Sequence, residues 1–279
     1  MFIHLVLFLG NPGLASYYED FMMSLKSKLP DEYSIWTLGH GGHDIPKDYE
    51  NFPKLSENRN LFSLEAVIQQ KIEFIQNNTD SDQEITLIGH SIGSKMVLEV
   101  MNSKVRNFQQ GCLLFPTFQN MITSPAGKKL KHSVKYFPTL LQMAITWMIS
   151  LLPRVILAKL IKFWLELTAT PCLTDACLDA TLDLINPQII SHILHLADTE
   201  LKTVLDPDYD QIRSLKDKLW LYYGVGDQWV PLEYYENLKK NIPDIDAEVC
   251  DKGIKHAFVL SSSAETADIV AAKMLNKNS

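Results

Sequence analysis

The sequence predicts an α/β fold, a mostly parallel sheet flanked by helices and interrupted by a helical insertion. Three observations carry this. Short apolar runs rich in β-branched residues alternate with stretches of helical period. Apolar residues dominate these runs, as they do in strands buried on both faces. The alternation stops after Phe115-Pro116-Thr117 and resumes near Leu215, leaving about 100 residues of different character.

The first run, 2–9, is apolar but lacks a basic n-region and leads into Gly10-Asn11-Pro12-Gly13 without a small-residue cleavage site, so it reads as a buried strand and not a signal peptide. Further strands are expected at 33–38, 84–89, 110–115, 218–224 and 246–250. Between them, Ser16–Leu29, Leu64–Gln76, Ser91–Ser103, Pro231–Lys240 and Ala264–Leu275 carry apolar residues three and four apart, as helices packed on a sheet do. The expected organisation is a core of residues 1–115 and 216–279, with residues 116–215 inserted as a lid. No internal repeat is visible.

Composition narrows the function classes. In 279 residues, 46% hydrophobic and 21% charged side chains lie within the globular range and exclude a disordered or fibrous chain. A net charge of −7 argues against nucleic acid as a partner. Cys112, Cys172, Cys177 and Cys250 form no CxxC pair, which fits a reducing compartment better than a disulfide framework or zinc site. The sequon at Asn77-Asn78-Thr79 is then a chance match.

The chemistry centres on Gly89-His90-Ser91-Ile92-Gly93. The strand-like Glu84-Ile85-Thr86-Leu87-Ile88 precedes it and the helical Lys95-Met96-Val97-Leu98-Glu99-Val100 follows, the context that a G-x-S-x-G nucleophile elbow needs. The serine occupies a strained turn, and small flanking residues let neighbouring elements approach. A serine hydroxyl is a weak nucleophile, so a general base and an orienting acid must follow in the chain order Ser, Asp/Glu, His. Asp227 lies just beyond the strand-like Leu219–Gly224. His256 comes 29 residues later, past Ala247–Cys250. Both fall at the carboxyl edge of the expected sheet, with Ser91. For the oxyanion, the backbone amides of Ile92 and Asn11 are the candidate donors, Asn11 because its Gly-flanked turn directly follows the first strand.

These residues resemble the α/β-hydrolase superfamily and, within it, the lipid droplet-associated hydrolases. Gly10-Asn11-Pro12-Gly13 with Tyr17-Tyr18, Ile88–Ser94, Leu114-Phe115-Pro116-Thr117, Ser124-Pro125-Ala126-Gly127, Tyr222-Tyr223-Gly224 and His256-Ala257-Phe258 follow that family's pattern over nearly the whole chain. The resemblance implies a serine esterase of lipid carboxylic esters, cholesteryl esters among them, that works without a cofactor. It implies residence on the lipid droplet monolayer and on the cytoplasmic side of the endoplasmic reticulum membrane. It assigns Ser91 as nucleophile, Asp227 as acid and His256 as base. Members of the family carry two strands ahead of the Gly-Asn-Pro-Gly loop that have no counterpart here, so strands 1 and 2 of the usual sheet are expected to be missing and 33–38 to form an edge.

From Tyr136 to Pro153 run 18 uncharged residues, bracketed by Pro138 and Pro153, and a second apolar stretch, Val155–Leu165, follows. The first run is borderline for a spanning helix, which needs about 20 residues. Two helices meeting at a proline can instead enter one leaflet as a hairpin. Lys128, Lys129, Lys131, Lys135, Arg154, Lys159 and Lys162 sit here with no acid, which suits an anionic lipid surface. Leu140, Leu141, Trp147, Leu151, Leu152 and Trp164 are the candidate lipid contacts. The competing reading has these helices covering an acyl cleft while the lysines snorkel to water. At the level of function, the competitor is a catalytically weak droplet coat protein that acts through this lid.

Other polar residues read as structural. His40, His43 and Asp44 in a Gly-rich loop are expected to bond locally, and neither they nor His192 and His195 are expected to bind metal. His90 is expected to pack away from the nucleophile. Trp36, Trp220 and Trp229 are assigned to the core, and Asp206, Asp208 and Asp210 to a solvated loop.

Overall fold

A computed structural model describes residues 3–44, 53–136, 139–167 and 174–277. Cys172 and Pro138 lie outside the described residues.

Six parallel strands form one sheet: β1 (Ile3–Phe8), β2 (Tyr33–Leu38), β3 (Glu84–His90), β4 (Phe108–Leu114), β5 (Leu219–Tyr223) and β6 (Ala247–Val249). Their order is β2-β1-β3-β4-β5-β6. All six expected strands form, within a residue or two at their ends. Residues 4–8 of β1 and all of β5 are buried, because helices cover both faces of the sheet.

The helices are α1 (Glu19–Lys28), α2 (Leu64–Asn78), α3 (Ile92–Asn102), α4 (Pro125–Tyr136), α5 (Thr139–Ser150), α6 (Arg154–Leu167), α7 (Asp175–Asp183), α8 (Pro187–Thr203), α9 (Tyr209–Leu215), α10 (Leu232–Asn241) and α11 (Ser263–Lys277). Two apolar clusters sandwich the sheet. Val6, Phe8, Leu87, Leu221 and Tyr223 pack beneath α2, α3 and α10, whereas Leu5, Leu7, Ile88, Trp220 and Phe258 pack against α1 and α11.

β2 is an edge strand of the described sheet. Trp36 on it is partly buried, packing against the core cluster and against the rings of His4 and Phe74. Trp220 alone of the three tryptophans is fully enclosed.

The chain leaves β1 toward β2 on one side and later enters β3 on the other. The carboxyl ends of β1 and β3 therefore flank a topological switch point, where α/β sheets open a crevice. Phe8 pairs with Gly89 across it, which brings the loop at Gly10 alongside Ser91.

Between β4 and β5 the chain runs through α4 to α9. Helices α5 and α6 are bent by 115° at the break containing Pro153, and no single helix among the described residues is long and apolar enough to cross a membrane.

Candidate active site

The elbow forms because neighbouring backbone leaves no room for anything larger than glycine. A Cβ at Gly93 would stand 2.1 Å from the Phe8 carbonyl oxygen, and one at Gly89 would stand 2.6 Å from that of Gly93. Ser91 adopts φ 54° and ψ −123°. Such a conformation in a non-glycine residue costs about 1–3 kcal/mol and persists only when the surroundings fix it. Three bonds do so: Ser91 N–H donates to Leu114 O at 3.0 Å, and Ser91 O accepts from Ser94 N at 2.9 Å and Thr117 N at 3.1 Å. Ser91 stands at the N-terminus of α3, yet its side chain makes no capping bond.

That hydroxyl instead lies 2.8 Å from His256 Nε2. His256 Nδ1 lies 2.7 Å from Asp227 Oδ2. The remaining carboxylate oxygen, Asp227 Oδ1, accepts from the amides of Trp229 at 2.8 Å and Val230 at 3.1 Å. The Asp227 side chain is 1% exposed and that of His256 17%. Because a carboxylate only accepts, Nδ1 of His256 carries the proton and Nε2 is free to accept from Ser91. The arrangement can deprotonate a hydroxyl in a shielded place and hold the resulting imidazolium. Three residues separated by 29 and 165 positions in the chain are brought together by the ends of β3, β5 and β6.

The candidate oxyanion donors flank the same point. Ile92 is the first residue of α3, where an amide has no intrahelical partner. Asn11 follows Gly10, at which a Cβ would stand 3.0 Å from Ser91 Cβ.

Sequence reasoning missed the support of this site. Gly10 N–H donates to Tyr18 Oη at 2.8 Å, and Tyr18 Oη lies 2.6 Å from His90 Nδ1. His90 Nε2 lies 2.8 Å from the carbonyl of His256, so it must be the protonated nitrogen, and Tyr18 then donates to Nδ1. Burial, aided by the nearby His256, pulls the His90 pKa down to about 3, which keeps it neutral. His90 does pack away from Ser91, as expected, but it ties the base to the Gly10 loop. Thr117 Oγ1 lies 3.0 Å from Ser91 Oγ.

Two expectations are refined here. His40 and His43 do not bond within their own loop only: His43 Nδ1 reaches the carbonyl of Pro12, and His40 N donates to Gly13 O at 3.1 Å, so both brace the Asn11 turn from β2's side. Trp229 is only partly buried: it packs against the core cluster and also reaches the site, its ring 6.4 Å from that of His256. Asp208 caps α9 by accepting from Asp210 N and Gln211 N, and His195 bonds the carbonyl of Arg59. Among the described residues, no group of three or more His, Cys, Asp or Glu is arranged to hold a metal ion.

The candidate lipid contacts sit on the bent pair and at its break. Leu140, Leu141, Trp147, Leu151, Leu152 and Trp164 are all exposed, Leu140 to 79% and Trp164 to 61%. No residue of α5 is buried.

The family model for lipid-droplet associated hydrolases matches residues 2–259. The chain belongs to that family. A lipid droplet-associated hydrolase from Drosophila melanogaster is 36% identical over 265 residues, covering 94% of this chain and 85% of the relative. One from Gallus gallus is 34% identical over 272 residues, covering 94% and 81%. Among solved structures, an esterase from Exiguobacterium antarcticum superposes with a TM-score of 0.61 at 15% identity, covering 97% of this chain and 91% of its own. That likeness speaks for the α/β-hydrolase fold. Membership of that family makes the protein a hydrolase.

Proposed function

We propose that this family member is a serine esterase of lipid carboxylic esters, acting through an acyl-enzyme. His256 takes the proton of Ser91 at Nε2 while Ser91 Oγ attacks the ester carbonyl. Asp227 steadies the imidazolium, and the amides of Asn11 and Ile92 receive the oxyanion. His256 then returns the proton to the departing alcohol, and water releases the acid by the same path. The observation that carries this reading is the pair of bonds at 2.8 and 2.7 Å linking Ser91 to His256 and His256 to Asp227.

Residues 116–215 act as the lid, and the bent pair α5–α6 is its lipid-facing part. Its exposed Leu and Trp side chains, flanked by Arg154, Lys159 and Lys162, support docking on a lipid droplet monolayer, with the endoplasmic reticulum membrane as the second surface. Cholesteryl esters are the substrate offered for that setting.

Purified protein mixed with an activated short-chain ester is expected to release a burst of alcohol equal to one per chain, followed by slower turnover. Ser91→Ala is expected to give none. A second reading, a droplet coat with negligible turnover, draws on the exposed helix pair alone and calls for lipid binding without a burst.

A further inference from the structure

Among the described residues, the Gly10–Gly13 turn is fastened from the segments that follow β1 and β2, and from α8. Tyr18 holds Gly10, His43 holds the carbonyl of Pro12, and His40 lies against Gly13, where a Cβ would stand 2.1 Å from its ring. Asn11 itself is held through its side chain by α8, which belongs to the long segment between β4 and β5. Its Nδ2 donates to Ile193 O at 3.2 Å and to Glu200 Oε1 at 3.3 Å, across 182 and 189 residues of sequence.

Glu200 is an uncommon residue for such a place. It is 1% exposed, on the face of α8 that also buries Ile189, Leu196, Ala197 and Leu201. Acidic side chains are almost never fully buried without a partner, and the partner here is the Asn11 amide. Burial raises the carboxyl pKa to about 8, so the side chain is neutral at physiological pH. It is therefore a fixed polar hook, and not a counter-charge. The side-chain amide of Asn11 and its backbone N–H belong to one residue, and fixing the first restricts the rotation of the second.

We propose that Glu200 is a positioning residue that aims the Asn11 amide at the oxyanion, so that the inserted helices complete the oxyanion hole as well as cover the site. The inference rests on Ser91 being the nucleophile and Asn11 an oxyanion donor. It assigns the lid a part in the chemical step that a simple cover lacks: loosening α8 lowers kcat even on an ester small enough to need no lid. Misaiming one donor is expected to cost somewhat less than the roughly 10²–10³-fold seen when a donor is removed outright.

The test uses the full chain with a soluble short-chain ester and, in parallel, the rate of trapping by a fluorophosphonate probe. Wild type must be trapped and Ser91→Ala must not; failure of this step overturns the esterase reading itself and is seen before any Glu200 variant is made. Glu200→Leu is then expected to lower kcat and the trapping rate about tenfold or more with KM unchanged. Glu200→Gln, which keeps an oxygen acceptor in place, is expected to restore at least half of both. Asn11→Ala removes the same tether from the other end, so the double variant Asn11→Ala/Glu200→Leu should be no slower than the worse single variant. Full kcat in Glu200→Leu, a change confined to KM, or multiplicative losses in the double variant would overturn the proposal. If Glu200→Leu does not fold, Asn11→Ala decides alone: a tenfold loss in kcat supports the tether, and wild-type kcat refutes it.

Discussion

The carboxyl edge of the sheet and the bent helix pair treat their side chains in opposite ways. At the sheet edge, Ser91, His256 and Asp227 are shielded, and each polar atom of the relay is spoken for: both carboxylate oxygens of Asp227, both ring nitrogens of His256 and the hydroxyl of Ser91. Along α5, the break after it and α6, many large apolar side chains face outward, Trp147 being 57% and Leu151 65% exposed, although Leu157 is buried. The first arrangement is finished within the chain. The second packs part of its apolar surface on α7 and α8 and leaves the rest exposed, and exposed patches of this kind mark contact surfaces. Reaction geometry has to be fixed before substrate arrives, because preorganised dipoles cost no reorganisation in the transition state. A surface for lipid needs only area, and area tolerates loose packing.

The sharpest way to break this contrast is at Asp227. Asp227→Asn keeps the shape but favours the wrong tautomer of His256, and the expected loss in kcat is about 10⁴-fold. Flotation of the same variant with droplet-like emulsions should match wild type. Progress curves and flotation check the two halves together; a variant that lost both would show that site and helix pair fold as one unit.

The reciprocal change is Trp147→Glu with Leu151→Glu and Trp164→Glu. Each side chain is worth about 1 kcal/mol or more at an apolar surface, so the three together should weaken binding to emulsion roughly a hundredfold. Unchanged flotation would remove lipid docking from this pair.

A smaller effect concerns the joint between the two regions, and its sign follows from Glu200. The folded state holds this carboxyl near pKa 8, against an ordinary value of 4.5. Its raised pKa means that the unfolded chain loses the proton first, so its contribution is fully present below about pH 4.5 and disappears as the pH rises through 8. Wild type should therefore lose roughly 4 kcal/mol of stability relative to Glu200→Gln across that window. Urea titrations of both proteins at pH 5 and pH 8.5 measure the difference; parallel curves would mean that Glu200 is solvated.

Much of this was legible in the sequence, for physical reasons that differ by element. The strands showed because a sheet covered on both faces demands uninterrupted apolar runs, and Leu219-Trp220-Leu221-Tyr222-Tyr223 is one. Ser91 showed because its turn forces glycine at 89 and 93, and Asp227 and His256 because each follows a strand in the required order. The supports of the site did not show. Tyr18, His90 and Thr117 act through contacts that only the folded sheet creates, and nothing in a tyrosine's neighbours announces that it will receive the Gly10 amide. Glu200 left one readable trace: it stands three and four residues beyond Ala197 and Leu196, on the stripe of α8 reserved for apolar side chains. The bent pair was legible from its composition and from Pro153 at the break, whereas the 115° angle was not.

The most direct measurement is the mass of the intact chain after reaction with a fluorophosphonate probe, followed by mapping of the modified peptide. One adduct per chain, on Ser91 alone and lost in Ser91→Ala, His256→Ala and acid-treated protein, is the expected result. An adduct on another residue, or equal labelling of wild type and Ser91→Ala, would contradict Ser91 as the nucleophile.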